Sequence, residues 1–76
     1  MNDIEKAYQI TKIEIENGLR DIYDYLPILY QMKLDEKYEM MAGIKKAILE
    51  YGMQLEIPEN KDELNKWMNE IKKSTI

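Results

Sequence analysis

The sequence predicts an all-α fold: a small three- to four-helix bundle with a broad-faced central helix, in a single helical domain over residues 1–76. Three observations predict it. Apolar residues recur at the three- and four-residue spacing of helices through most of the chain. The one alternating stretch is short and lacks a hairpin partner. A chain of 76 residues, 45% of them hydrophobic, has enough apolar side chains for one core and no more than one domain.

The first helix is predicted over residues 4–26, with Asn2 or Asp3 as its N-cap. Its apolar positions fall within about 120° of one another on a helical wheel, which indicates one buried face. Gly18 also falls on this face, where it is either simply tolerated or allows a neighbouring helix to approach closely. The other residues of the face are Ile4, Ala7, Tyr8, Thr11, Ile15, Leu19, Ile22, Tyr25 and Leu26.

Pro27 ends the first helix or kinks it, because its ring would clash with the carbonyl of Tyr23 in a continuous helix. The sequence leaves open which of the two occurs. Residues 27–34 carry apolar side chains on no single face. We therefore expect a short extra helix near residues 27–33 that is buried on several sides.

The central helix is predicted over residues 35–52, with Asp35 as its N-cap and Gly52 as its left-handed C-terminal residue. Its apolar residues cover about 200° of the wheel, against about 100° in an ordinary surface helix. A helix that apolar needs neighbours on more than one side, which predicts its central position. The remaining narrow polar strip contains Asp35, Glu36, Glu39, Gly43, Lys46 and Glu50.

Residues 53–58 alternate between apolar and polar side chains, which predicts an extended connection with Leu55 and Ile57 turned inward. Asn60 and Glu63 then form a capping-box-like start for a last helix over residues 61–73. Trp67 is its expected anchor in the core. Two lysines at the end of this helix, Lys72 and Lys73, suit the negative end of the helix dipole.

Composition argues against an enzyme. The chain has no cysteine and no histidine, which excludes disulfides, thiolate metal sites and the usual acid–base side chain at neutral pH. Its single serine, Ser74, lies in the C-terminal tail, and its three glycines are isolated. We therefore expect no catalytic site, no cofactor and no bound metal.

The net charge of −4 argues against nucleic acid as a partner. No apolar run reaches the length of a membrane span, and the N-terminus does not resemble a signal peptide. We therefore expect a cytoplasmic protein with no membrane partner. Richness in Ile, Lys, Glu, Asn and Tyr suggests an AT-rich genome, as in low-GC bacteria or their phages and mobile elements.

Five apolar or aromatic residues are the candidate protein-binding site. Ile10 and Ile13 fall on the far side of the first helix, where apolar side chains form a possible contact patch. Tyr23, Tyr25 and Tyr30 cluster around Pro27, and tyrosine is common at interfaces. Whether the methionines and tyrosines are core or interface residues stays open at this point.

The hypothesis is a small acidic non-enzymatic protein-binding module. It would be an inhibitor or adaptor, from a phage or mobile element, that blocks a basic or apolar surface of a larger host or defence protein. One alternative is a homodimeric DNA-associated regulator that binds through Lys45, Lys46 and Lys72. Another is a purely structural homo-oligomer, in which self-association covers the surplus apolar surface. The sequence identifies neither the partner nor the pathway nor the oligomeric state.

Overall fold

A computed structural model describes residues 2–74, with side chains up to Ile71, so the side chains of Lys72, Lys73 and Ser74 lie outside the described ones. Over this range the chain forms four α-helices, and no strand occurs in it, which confirms the predicted all-α bundle. A 3-10 turn at Ile22–Asp24 precedes the second helix. The helices are α1 (Asp3–Glu16), α2 (Tyr25–Leu34), α3 (Tyr38–Glu50) and α4 (Lys61–Ser74).

The predicted start of the first helix is confirmed, because Asn2 is its N-cap. Its predicted extent over residues 4–26 is wrong, because α1 ends at Glu16 and the chain turns away at Gly18. Gly18 has a φ of +70°, in the left-handed region. Its N–H donates to the Ile15 carbonyl at 3.1 Å, and the Leu19 N–H donates to the Glu14 carbonyl at 2.9 Å. These two bonds form a Schellman motif, in which glycine closes a helix C-terminus. Gly18 is therefore a helix stop, and Leu19, expected in the core, is exposed.

The chain enters α2 through a capped 3-10 turn. The Asp21 carboxylate accepts from the Ile22 N–H at 2.7 Å, and the Asp24 carboxylate accepts from the Asp21 N–H at 2.9 Å. Since α2 begins at Tyr25, Pro27 lies in its first turn, where a missing N–H costs no helical hydrogen bond. The short extra helix is confirmed. The first helix does not continue through Pro27, because α1 ends at Glu16 and Pro27 belongs to α2.

Helix α2 ends on a strained glutamate. Glu36 has a φ of +58°, the one positive φ at a residue other than glycine in the described chain. Its N–H donates to the Lys33 carbonyl at 3.2 Å, and the Lys37 N–H donates to the Met32 carbonyl at 2.9 Å. This is a second Schellman motif, with glutamate at the position that glycine normally takes.

This turn corrects the predicted start of the central helix. Asp35 is the C-cap of α2, and α3 begins only at Tyr38, after an N-cap, Lys37, that makes no side-chain capping bond. The predicted cap at Asp35 is therefore wrong. The predicted end is confirmed, because Gly52 follows α3 with a φ of +77°.

We expect Glu36→Gly to stabilise the fold by up to about 1 kcal/mol. The left-handed region costs a side-chain-bearing residue more than it costs glycine, although glycine also gains freedom in the unfolded chain. Gly52→Ala is the matched control and should destabilise by a similar amount. Urea unfolding followed by circular dichroism measures both variants. A loss of stability in Glu36→Gly would contradict the strained turn.

Helices α1 and α3 pack side by side and run in the same direction. Gly43 lies against Ile4 near the start of α1. About two turns further along both helices, the Glu50 carboxylate pairs with Lys12. Helix α2 also packs on α3, so α3 has neighbours on two sides, as its central position requires.

The tightest helix contact is at Gly43, which the helical wheel placed on the polar strip. Gly43 is buried, and a Cβ atom there would lie 2.8 Å from the Ala7 Cβ and 2.9 Å from the Tyr8 backbone nitrogen. Both separations are below ordinary van der Waals contact. The position of Gly43 on the polar strip is therefore wrong: the backbones of α1 and α3 meet there.

The broad apolar arc of α3 is covered on one half only. Tyr38 and Leu49 are exposed, as is Leu34 at the end of α2. The covered half belongs to the core, where the partly buried Met32, Met40 and Met53 pack as well. The buried apolar residues are Ala7, Tyr25, Leu26, Leu29, Met41, Ile44, Ala47 and Ile48.

The connection between α3 and α4 is extended, as predicted. Leu55 and Ile57 are partly buried against the core, whereas Gln54 and Glu56 are exposed. The connection ends at Pro58, whose side chain is fully buried.

Helix α4 is capped at its predicted start. The Asn60 side chain accepts from the Glu63 N–H at 2.8 Å, and the Glu63 carboxylate accepts from the N–H of Glu59 at 3.3 Å. Among the helices, α4 contacts chiefly α2. Trp67 is 41% exposed, so its predicted role as a core anchor is wrong.

Candidate protein-binding surface

The five predicted site residues occupy different environments. Ile10 and Ile13 are each just over half exposed on α1, and Tyr23 is exposed within the 3-10 turn. Tyr30 is half-buried. Tyr25 is only 1% exposed and packs in the core cluster, so it is a core residue that a partner cannot reach.

Burial explains the chemistry of Tyr25. Its hydroxyl has no hydrogen-bond partner within residues 2–71, although Thr11 lies close enough to influence it. Burial raises the pKa of Tyr25, and Glu14 adds to this, while Arg20 acts against it. Of the three tyrosines around Pro27, only Tyr23 is therefore exposed.

Tyr23 lines a groove of about 530 Å³ that the sequence did not predict. One wall is the extended connection after α3, and the other is α4. Leu26 also lines the groove, and Ile10 and Ile13 do not. The groove residues are Tyr23, Leu26, Met53, Gln54, Leu55, Glu56, Trp67, Glu70 and Ile71.

Local sequence rules produce this groove. The left-handed turn at Gly52 redirects the chain after α3, and the alternation of residues 53–58 lays it against the core. Trp67 and Ile71 are four residues apart, so they lie one above the other on one face of α4. The spacing of Trp67 and Ile71 was visible in the sequence. It indicated a buried face, however, because sequence alone does not give the distance between α4 and the core.

The groove is apolar with an acidic edge. Six of the nine described lining residues are apolar or aromatic, Glu56 and Glu70 carry negative charge, and none of these nine is lysine or arginine. Its volume is within the range of ligand-binding clefts. A smaller depression of about 220 Å³ lies on the other side of the connection. It shares the lining residues Met53, Gln54 and Leu55 with the groove.

A polar cluster joins α1 to α3 away from the groove. The Tyr8 hydroxyl donates to the Glu50 carboxylate, whose two oxygens both lie 2.6 Å away. Lys12 Nζ lies 3.2 Å from the same carboxylate, and Lys46 Nζ lies 4.6 Å from the centre of the Tyr8 ring. Every charged group in this cluster has a partner, so the cluster fixes the two helices relative to each other.

These contacts set the direction of each pKa. The hydrogen bond from Tyr8, together with Lys12, lowers the pKa of Glu50, although partial desolvation opposes this. The same hydrogen bond raises the pKa of Tyr8, and the pairing with Glu50 raises the pKa of Lys12.

We expect Glu50→Gln to reduce stability at pH 7 and to have little effect in acid. Because the folded-state pKa of Glu50 is below its ordinary value of 4.5, its contribution is complete above that value and disappears as the pH falls through the folded-state pKa. Urea midpoints at pH 7 and pH 3 test this. Glu59→Gln, at an exposed carboxylate outside the cluster, is the control, and an equal loss at both pH values would contradict the assignment.

The described part of the chain offers no metal-binding group of three or more Asp or Glu residues. No helix within residues 2–74 is both long enough and apolar enough to cross a membrane.

The fold and the groove together define a small helical protein with an open apolar groove. No family model, no curated protein and no solved structure matches this chain.

Proposed function

We propose that this chain is a non-enzymatic protein-binding module that presents the groove to a larger protein with a basic or apolar surface. The observation that carries the proposal is the placement of Trp67. The only tryptophan of the chain lies 41% exposed in the wall of an apolar groove, opposite residues 53–56. Tryptophan and tyrosine are the residues most enriched among those that dominate binding energy at protein interfaces.

Energetics favour a protein partner. A chain of this size obtains only about 3–5 kcal/mol from its core, and it would gain stability by burying Trp67 fully. It instead leaves Trp67 and Tyr23 partly exposed along one groove. Contiguous apolar surface that stays uncovered is typical of interaction sites. The acidic edge would steer a basic partner surface towards it.

The finer hypothesis is an inhibitor or adaptor that blocks a surface of a host or defence protein. Its support is the small size, the acidic charge and the composition typical of phages and mobile elements of low-GC bacteria. Ile10 and Ile13 are a second exposed surface on α1, and we propose that they contribute where the partner is large enough to reach both.

The DNA-associated alternative gains no support from the geometry. Lys45 and Lys46 line the same small depression. Lys46 nevertheless lies over the Tyr8 ring and beside the Glu50 carboxylate, which offsets part of its positive charge. The side chain of Lys72 lies outside the described residues.

Affinity capture with matched variants tests the proposal. Trp67→Ala and Tyr23→Ala each remove a groove ring, and Tyr38→Ala removes an exposed ring of α3 that does not line the groove. We expect quantitative mass spectrometry of captured proteins from a low-GC bacterial lysate to show one protein lost with both groove variants and retained with Tyr38→Ala. Capture that is identical for all folded variants would contradict the proposal.

A further inference from the structure

We propose that the groove binds an extended segment of its partner by strand addition, with the backbone of residues 53–57 as the pairing edge. The added segment would alternate basic and apolar residues. This inference rests on the proposed function, and it names the mode of binding and the chemistry of the partner.

The backbone of residues 53–57 supports strand addition. No backbone N–H or C=O of these residues makes a hydrogen bond to any other described residue. The neighbouring Pro58 carbonyl is the first that is bonded, and it accepts from Lys33 Nζ at 3.5 Å. An extended segment with unpaired N–H and C=O groups is a template for another strand.

The backbone of residues 53–57 also faces the groove. Side chains of an extended chain alternate between two sides. Four consecutive residues, Met53, Gln54, Leu55 and Glu56, nevertheless all line the groove. Consecutive residues line one groove only if the backbone itself runs along it. Residues 53–57 span about 16 Å at the rise of a strand, which is close to the usual strand length.

The side of the groove opposite the extended connection is apolar. Leu26, Trp67 and Ile71 form an apolar surface across the groove from the extended connection. Every second side chain of an added strand would face this surface, so those positions should be apolar. The remaining positions would lie near the exposed Glu56, and none of the described residues that line the groove is lysine or arginine, so these positions should be basic.

A second copy of this chain is a poor occupant. Its own apolar residues Met53, Leu55 and Ile57 already pack against its core. It would offer only Gln54 and Glu56 to the groove, which would bring a carboxylate to an acidic edge. The partly exposed Trp67 would also stay uncovered. A segment of another protein with alternating basic and apolar residues would place apolar side chains on the apolar side of the groove and basic side chains at its acidic edge.

Short synthetic peptides on the full-length protein test this inference. The probe alternates lysine and leucine with blocked termini, and a glutamate–leucine peptide is the charge control. Two further lysine–leucine peptides carry N-methyl groups at alternate residues, one pattern for each edge of the strand. Trp67 fluorescence reports binding in the groove, since the chain has no other tryptophan. Amide hydrogen exchange at residues 54–57, followed by NMR, reports strand pairing.

We expect the lysine–leucine peptide to shift the Trp67 emission and to slow exchange by at least about tenfold at every second residue of 54–57, because one edge of a strand carries the N–H groups of alternate residues only. One N-methyl pattern should weaken binding by about tenfold or more, because it removes the N–H groups that pair, and the other should bind nearly as well. The glutamate–leucine peptide should not bind. Glu56→Lys should weaken binding of the lysine–leucine peptide by up to about fivefold, whereas the exposed Glu59→Lys outside the groove should not.

Three results would overturn strand addition: no binding of the lysine–leucine peptide, binding without protection at residues 54–57, or equal binding of both N-methylated peptides. None of them contradicts the proposed function as long as partner capture depends on Trp67 and Tyr23. Partner capture that is unchanged by Trp67→Ala and Tyr23→Ala would instead contradict the proposed function, so the two failures are distinguishable.

Discussion

Gly43→Ala is expected to destabilise the fold by at least about 2 kcal/mol. The added methyl group would overlap the backbone of α1 at Ile4 and Tyr8 and the side chain of Ala7. Two of the overlapping groups are backbone atoms of a helix, so no side-chain rotation relieves them. The helices would have to separate and lose core contacts. Because a chain of this size has only a few kcal/mol of stability, a large fraction should unfold at physiological temperature.

Helix propensity alone predicts the opposite sign for this change. Alanine in place of a helical glycine stabilises an isolated helix by about 1 kcal/mol. Urea unfolding of Gly43→Ala therefore separates the two effects. Ala42→Gln, at the neighbouring exposed position, is the control and should change stability by no more than about 0.5 kcal/mol. A stabilised Gly43→Ala variant would contradict the close packing of α1 on α3.

Leu29→Ala is expected to cost about 2–5 kcal/mol. Leu29 is 0% exposed and lies in the core cluster that joins α1, α2 and α3. Truncation removes buried methyl groups and leaves a cavity that the rigid helices fill only in part. Thermal unfolding by calorimetry measures the loss.

The same helix supplies the control for this substitution. Leu34 is 58% exposed at the end of α2, so Leu34→Ala makes the same chemical change with little lost burial. It should change stability by about 0.5 kcal/mol or less. Equal losses in the two variants would mean that α2 does not bury Leu29 as described.

Much of the fold was predictable because periodicity reports which face of a helix is buried. Ala7 and Thr11 are buried as the helical wheel of the first helix indicated. The alternation of residues 53–58 and the capping residue Asn60 were equally visible. These features are local, so the sequence around each one determines them.

The errors have two physical sources. A wheel assumes that a helix continues, and it cannot register that Gly18 and Glu36 adopt left-handed conformations that end one. It also assigned Gly43 to the polar strip from its position alone, and so it missed the backbone contact of Gly43. The groove was missed for a related reason. The distance that α4 keeps from the core depends on long-range packing, which the spacing of Trp67 and Ile71 does not encode.

The central claim is that the groove is open in the isolated protein and available to another protein. Acrylamide quenching of Trp67 fluorescence over a wide range of protein concentration tests it most directly. We expect quenching typical of a partly exposed tryptophan, with an emission maximum that does not change with concentration. An emission that shifts to the blue and becomes protected from acrylamide as the concentration rises would contradict the claim. It would mean that copies of this chain cover the groove themselves.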